Sequence, residues 1–218
     1  MKPRFSNQPT AALTLTEALV IIAVLVVLCA LLKPARIKPH RYMPRMACIN
    51  NLRQIGMACQ LWADDHNGKY PMEISVTNGG TMELADFKNV WQAFLVMSNE
   101  INHAKILCCP ADSGRVPATN FNADFGNANI SYFVGLDADE NKPRTFLSGD
   151  DNFAMNGVPV KSGRLEISTN TLLFWTAARH RFAGNIGLAD GSVQQLTTDG
   201  LRQALQQTGV ATNRLAIP

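Results

Sequence analysis

The longest apolar run in the chain lies near its start, in LTLTEALVIIAVLVVLCALL, Leu13–Leu32. The fifteen residues from Ala18 to Leu32 form it without a break, and Glu17 stands at its head. Twenty residues of helix measure roughly 30 Å, the thickness of a bilayer core. The pattern therefore predicts a membrane-spanning helix over 13–33. A charged carboxylate at the hydrocarbon boundary costs a few kcal/mol unless it finds a partner, so Glu17 demands an explanation.

Beyond the run the pattern changes. Pro34, Pro39 and Pro44 recur at intervals of five, and proline removes a helical hydrogen bond. Residues 34–44 thus read as a proline-rich, basic kink, with a helix resuming near Arg45. There Cys48, Leu52, Ile55, Cys59 and Trp62 recur at spacings of 4, 3, 4 and 3, one apolar stripe on a helix. NGKYP closes it, with Gly68 suited to a left-handed cap and Pro71 barring continuation. MELADFKNVWQAFLVMSNE reads as a second helix, with Phe87, Val90, Trp91, Phe94 and Leu95 on one face. KILCCPAD reads as a short strand or turn. NISYFVGL, TFLSGDDNF and TNTLLFWTAA carry the aromatic and β-branched content of strands. In GNIGLADGSVQQL two apolar runs flank Asp190-Gly191, the pair expected in a type I′ hairpin turn. TTDGLRQALQQTG predicts a short helix capped by Thr198 or Asp199, and NRLAIP an extended tail. The class is α+β, with a globular domain over 45–218.

Composition adds an asymmetry. Of 218 residues 46% are hydrophobic, and the net charge is only +3, which suits one membrane segment and one modest domain. Lys33, Arg36, Lys38, Arg41, Arg45 and Arg53 fall in a stretch without an acid. A basic cluster just past a span sits on lipid headgroups. No aromatic or glycine pattern accompanies it, which argues against nucleic acid as a partner.

A secretory signal would place a small-residue cut site after the apolar run. CALLKP follows it here, whereas the small pair Ala11-Ala12 precedes it. Cutting between Ala12 and Leu13 would leave Glu17 four residues from a new α-amine, and Glu17 of one helix could pair with the amine of its neighbour. In low dielectric such a pair fixes register, because a misplaced charge is left uncompensated. The segment LTLTEALVIIAVLVVLCALL resembles the class III signal of type IV prepilins and type II secretion pseudopilins, with Ala12 where that family usually has Gly and Leu13 where it usually has Phe. CINNLRQIG…ADDHNGKYP is similar to the helix-to-loop segment of a prepilin-like subfamily, and His180 followed by nine residues and Asp190-Gly191 resembles its C-terminal signature.

The resemblance implies residues 1–12 as a leader, cleavage by prepilin peptidase at Ala12/Leu13, and Glu17 as the assembly glutamate. It implies a pilin-like fold, with a long N-terminal helix packed on a small antiparallel β-sheet. The expected function is a structural subunit, not an enzyme, assembled with itself and related subunits on an inner-membrane platform into a pilus or secretion pseudopilus. The expected location is the inner membrane, single-pass, with the C-terminal domain outside the cytoplasm. Counting flanking cations alone would place the more basic side inside. The alternative is an anchored binding domain that does not polymerise.

Candidate chemistry is sparse. His180 and Asp190 could form an acid–base or metal pair, but no nucleophile motif or third ligand at a standard spacing accompanies them; they read as a structural turn with Gly191. Asp137, Asp139 and Asn141 alternate in LDADEN, an oxygen-rich pattern compatible with Ca²⁺ although the glycine and final Glu of an EF-hand are missing. Asp150-Asp151 is a second acidic candidate. No other cofactor is expected. Cys48 and Cys59, eleven residues apart on a helix, stand roughly 16 Å apart and cannot bridge. Cys29 reads as an apolar filler. Export would favour a bridge from the helix to CCPAD: Cys48–Cys109, or alternatively Cys59–Cys108.

Overall fold

The computed structural model describes residues 14–31, 43–84 and 89–218. The leader, Ala12, Leu13 and most of the proline-rich kink lie outside them. The chain divides into two compact units, 1–39 and 40–218.

The first unit contributes α1 (Leu15–Leu31). Thr14 begins it: its carbonyl accepts from Ala18 N at 3.1 Å. Its hydroxyl accepts from Glu17 N at 3.3 Å, and Glu17 Oε2 accepts from Thr14 N at 2.9 Å. This is a reciprocal capping box, and it gives the acid at the head of an apolar helix a role within its own chain. At 17 residues α1 measures roughly 25 Å. No helix among the described residues is long and apolar enough to cross a membrane.

The second unit is α+β. Helix α2 (Met43–Asp64) carries the predicted stripe, and Cys48, Leu52, Ile55, Cys59 and Trp62 are all buried. The expected second helix is instead two short turns, α3 (Trp91–Leu95) and α4 (Ser98–Ile101), separated by Val96 and Met97; Phe87 lies outside the described residues. KILCCPAD opens with a 3₁₀ turn over Ala104–Leu107.

Strands follow: β1 (Tyr132–Gly135), β2 (Phe146–Asp150), β3 (Phe153–Met155), β4 (Val158–Pro159), β5 (Gly163–Ser168), β6 (Leu173–Trp175), β7 (Ala183–Leu188) and β8 (Val193–Thr197). Helix α5 (Thr198–Gln207) and strand β9 (Thr212–Ile217) complete the chain. The cap of α5 is Thr197, whose side chain accepts from Gly200 N, one residue earlier than expected. The main sheet is antiparallel, in the order β5-β9-β1-β2-β7-β8; β4-β3-β6 form a smaller sheet. The tail predicted only as extended is thus an interior strand.

Side-chain alternation along the strands feeds two cores. Tyr132, Val134, Leu147 and Ala216 face the α2 stripe together with Phe94 and Leu107. Phe133, Phe146, Leu215 and Ile217 face the other way, onto Phe153, Trp175, Leu201 and Leu205. Helix α2 lies against β7, β2 and β8.

The β7–β8 hairpin differs from expectation in its turn. Gly191 N donates to Leu188 O, and Leu188 N donates to Ser192 O, both at 2.9 Å. Only Gly191 has positive φ, +80°. The loop is therefore three residues with glycine at the left-handed position, not a two-residue I′ turn, which requires positive φ at both centres.

Candidate functional site

His180 is not part of that turn. It precedes β7, in a run where His180, Arg181 and Phe182 have φ of 51°, 52° and 61°. Three consecutive non-glycine residues in the left-handed region cost on the order of 1 kcal/mol each. Tertiary contacts hold them there. Arg45 of α2 donates to the carbonyl of His180, and the His180 imidazole is turned inward with its side chain only 2% exposed.

Its ring meets a buried disulfide and a buried carboxylate. Cys48 and Cys109 form a disulfide with Cα atoms 5.3 Å apart, as expected for the favoured pairing; Cys59 and Cys108 are free and buried. The bridge ties α2 to the turn after the 3₁₀ segment. His180 Nε2 lies 3.3 Å from Cys109 Sγ and 3.5 Å from Asp150 Oδ2. Asp150, at the end of β2, is fully buried. Its Oδ2 accepts from both Asn185 N and Asn185 Nδ2 at 2.8 Å, while its Oδ1 has no hydrogen-bond partner among the described residues.

Burial governs the charges. Desolvation pushes His180 down to about 4, reinforced by Arg45 and Arg179. Desolvation raises Asp150 to about 6, opposed by Arg179 and the Asn185 hydrogen bonds. At neutral pH the contact is therefore between a neutral imidazole and a carboxylate, not an ion pair.

A buried ionic network lies beside it. Arg179 contacts Asp112 Oδ2 at 3.2 Å, pairs with Asp151, and donates to Ser131 O at 3.0 Å. Arg115 pairs with Asp151 at 2.8 Å and approaches Asp112 at 3.6 Å. Of the Asp150-Asp151 pair, Asp151 is thus committed to arginines and Asp150 to the histidine. Breaking one member of such a network leaves an uncompensated buried charge.

The remaining candidates do not join this centre. Asp190 sits at the far end of β7, its Oδ1 accepting from Ser192 N at 2.8 Å. His180 and Asp190 are accordingly not an acid–base pair; the acid beside His180 is Asp150. Asp137 holds Arg214 through both oxygens, at 2.6 Å to the backbone N and 2.7 Å to Nε. Asp139 pairs with Lys142 at 3.2 Å and accepts from Asn141 N at 2.9 Å. They line a groove of about 500 Å³ together with Glu73, Arg164 and Met82. Both carboxylates of the suggested Ca²⁺ set face cations.

Sequence reasoning missed Asp150 as the partner of His180, and Arg45, Arg179, Asp112 and Arg115 as its surroundings. Their separations along the chain follow no motif. The position of Arg179 directly before His180 was the one local signal.

No family model matches the chain, and no curated protein or solved structure matches it either.

Proposed function

We propose that the chain is a pilin-like structural subunit, gathered into a filament through α1, in a pilus or type II-like secretion pseudopilus. The observation that carries this reading is the exposure of α1. Leu19, Val20, Ile22, Val26 and Val27 are each more than half exposed. A helix so apolar all round is stable only when lipid or other helices cover it. Packing against copies of itself covers α1 without requiring it to span a bilayer alone. Glu17 would then pair with the freed amine of a neighbour. Helix α2 laid on an antiparallel sheet is the arrangement the prepilin resemblance implies. The Cys48–Cys109 bridge suits a domain outside the cytoplasm, on the outer side of the inner membrane. Prepilin peptidase, related subunits and the assembly platform are the partners in this reading.

The test is the intact mass and N-terminal sequence of protein recovered from membranes. A start at Leu13, with or without one methyl group, supports processing and assembly. A start at Met1 leaves Glu17 no new amine to meet, and turns the reading toward an anchored module that does not polymerise.

A further inference from the structure

One group of side chains in the globular unit has the composition of a metal centre. Cys48, Cys109, Asp150 and His180 each offer a ligand atom, and these atoms lie within 4.8 Å of one another. Two sulfurs, an imidazole nitrogen and a carboxylate oxygen form a borderline-soft donor set, suited to zinc-class ions rather than to Ca²⁺ or Mg²⁺.

The spacing agrees. With zinc–ligand bonds of about 2.0–2.3 Å, tetrahedral edges are about 3.4 Å for nitrogen to oxygen and about 3.6 Å for nitrogen to sulfur. His180 Nε2 already stands 3.3 Å from Cys109 Sγ, and the Asp150 carboxylate comes within 3.5 Å of it through Oδ2, the oxygen that Asn185 anchors. The two sulfurs are closer than a metal allows, because they are bonded to each other. A second observation points the same way. Asp150 is fully buried and its Oδ1 has no hydrogen-bond partner among the described residues. Meanwhile its Oδ2 is anchored by Asn185, as an outer-shell group anchors a metal-ligating carboxylate. The left-handed backbone at His180, held by Arg45, turns the imidazole into this cluster.

We propose that these four residues form a redox-gated site for a single zinc-class divalent ion, closed by the disulfide and opened by its reduction. A dithiol supplies two electrons and two protons: its two S–H bonds are lost, its own S–S bond forms, and the Cys48–Cys109 bond is replaced by two thiols. The ion then binds two thiolates, His180 and Asp150, and two protons pass to solvent. Four protein ligands, three from buried residues and one from a His180 side chain only 2% exposed, make the site structural and closed, with no open position for substrate. It exists in chains not yet oxidised, or in chains reduced later. It does not depend on the assembly reading.

The experiment uses the full chain in detergent, reduced without oxygen, freed of reductant and titrated with Co²⁺. The readouts are the sulfur-to-cobalt charge-transfer band, the intense visible bands of tetrahedral Co²⁺, and near-ultraviolet circular dichroism. The expected result is one equivalent bound with both spectral signatures in the reduced chain, displaced by Zn²⁺, and neither signature in the oxidised chain. If reduction loosens the fold, Co²⁺ is expected to restore the native dichroism. His180→Asn, which tolerates positive φ, keeps both sulfurs and is expected to lose the tetrahedral spectrum. Asn185→Ala is expected to weaken binding by about 10–100-fold. Absence of the charge-transfer band from the reduced chain, an unchanged spectrum in His180→Asn, or equal binding by the oxidised chain would each overturn the proposal.

Discussion

The Cα of Gly191 lies 3.3 Å from the point where a Cβ on Gly56 would stand. The tip of the β7–β8 hairpin therefore rests directly on α2. At the other end of β7, His180 sits against the disulfide that begins at Cys48 on the same helix. One strand is thus pinned to one helix at both ends. The spacing between His180 and Asp190-Gly191 is the length that joins the two anchor points. Tyr70 adds a third tie, donating from its buried hydroxyl to Ala189 O at 2.6 Å.

A larger side chain at Gly56 separates helix from turn. Gly56→Leu is expected to cost about 1–3 kcal/mol, although leucine is the better helix former by nearly 1 kcal/mol. Urea unfolding of the globular unit within the full chain in detergent checks the sign; an unchanged or raised midpoint contradicts the close approach.

Acid sensitivity follows from His180. Its folded value, about 4, lies below the ordinary 6.5, so the unfolded chain takes up the proton first. The resulting stability is whole above pH 6.5 and is lost as pH falls toward 4. Asp150, raised to about 6 from 3.8, acts oppositely: its burial penalty is relieved as pH falls through 6. Between pH 7 and 6 the histidine dominates and stability declines. His180→Asn is expected to flatten that decline, measured as unfolding midpoint against pH.

The strain before β7 is also measurable. Phe182 is 64% exposed with φ of +61°, so its ring contributes little packing to offset the backbone cost. Phe182→Gly is expected to raise stability by about 0.5–1 kcal/mol, the left-handed penalty less the added entropy of glycine in the unfolded chain. A lower unfolding midpoint would mean that the ring packs more than its exposure implies.

Glu17 has two roles that one pair of variants separates. Glutamine keeps the capping box with Thr14 but has no charge; alanine loses both. If Glu17 pairs with a neighbour's amine, Glu17→Gln and Glu17→Ala are both expected to remain membrane-bound and fail to enter filaments. Filament entry by Glu17→Gln alone would assign the glutamate to capping.

How much was legible in the chain depended on range. The stripe from Cys48 to Trp62 is a local periodicity, and any helix with that spacing buries one face, so α2 and its buried residues follow from the sequence. The β7–β8 hairpin follows from apolar runs around Asp190-Gly191, and the apolar helix from Leu15 onward follows from composition. The break between α3 and α4 does not follow, because helical spacing is compatible with two short turns once each packs separately. Nor does the turn type: Asp-Gly serves both loops, and strand register chose the three-residue one. Strand β9, at the end of the chain, becomes an interior strand only because β5 and β1 close on either side of it. The pairing of His180 with Asp150 and Cys109 was decided last of all. It joins residues 30 and 71 positions apart that no period relates, and it exists because the fold brings the end of β2, the turn after the 3₁₀ segment and the residues before β7 to one buried place.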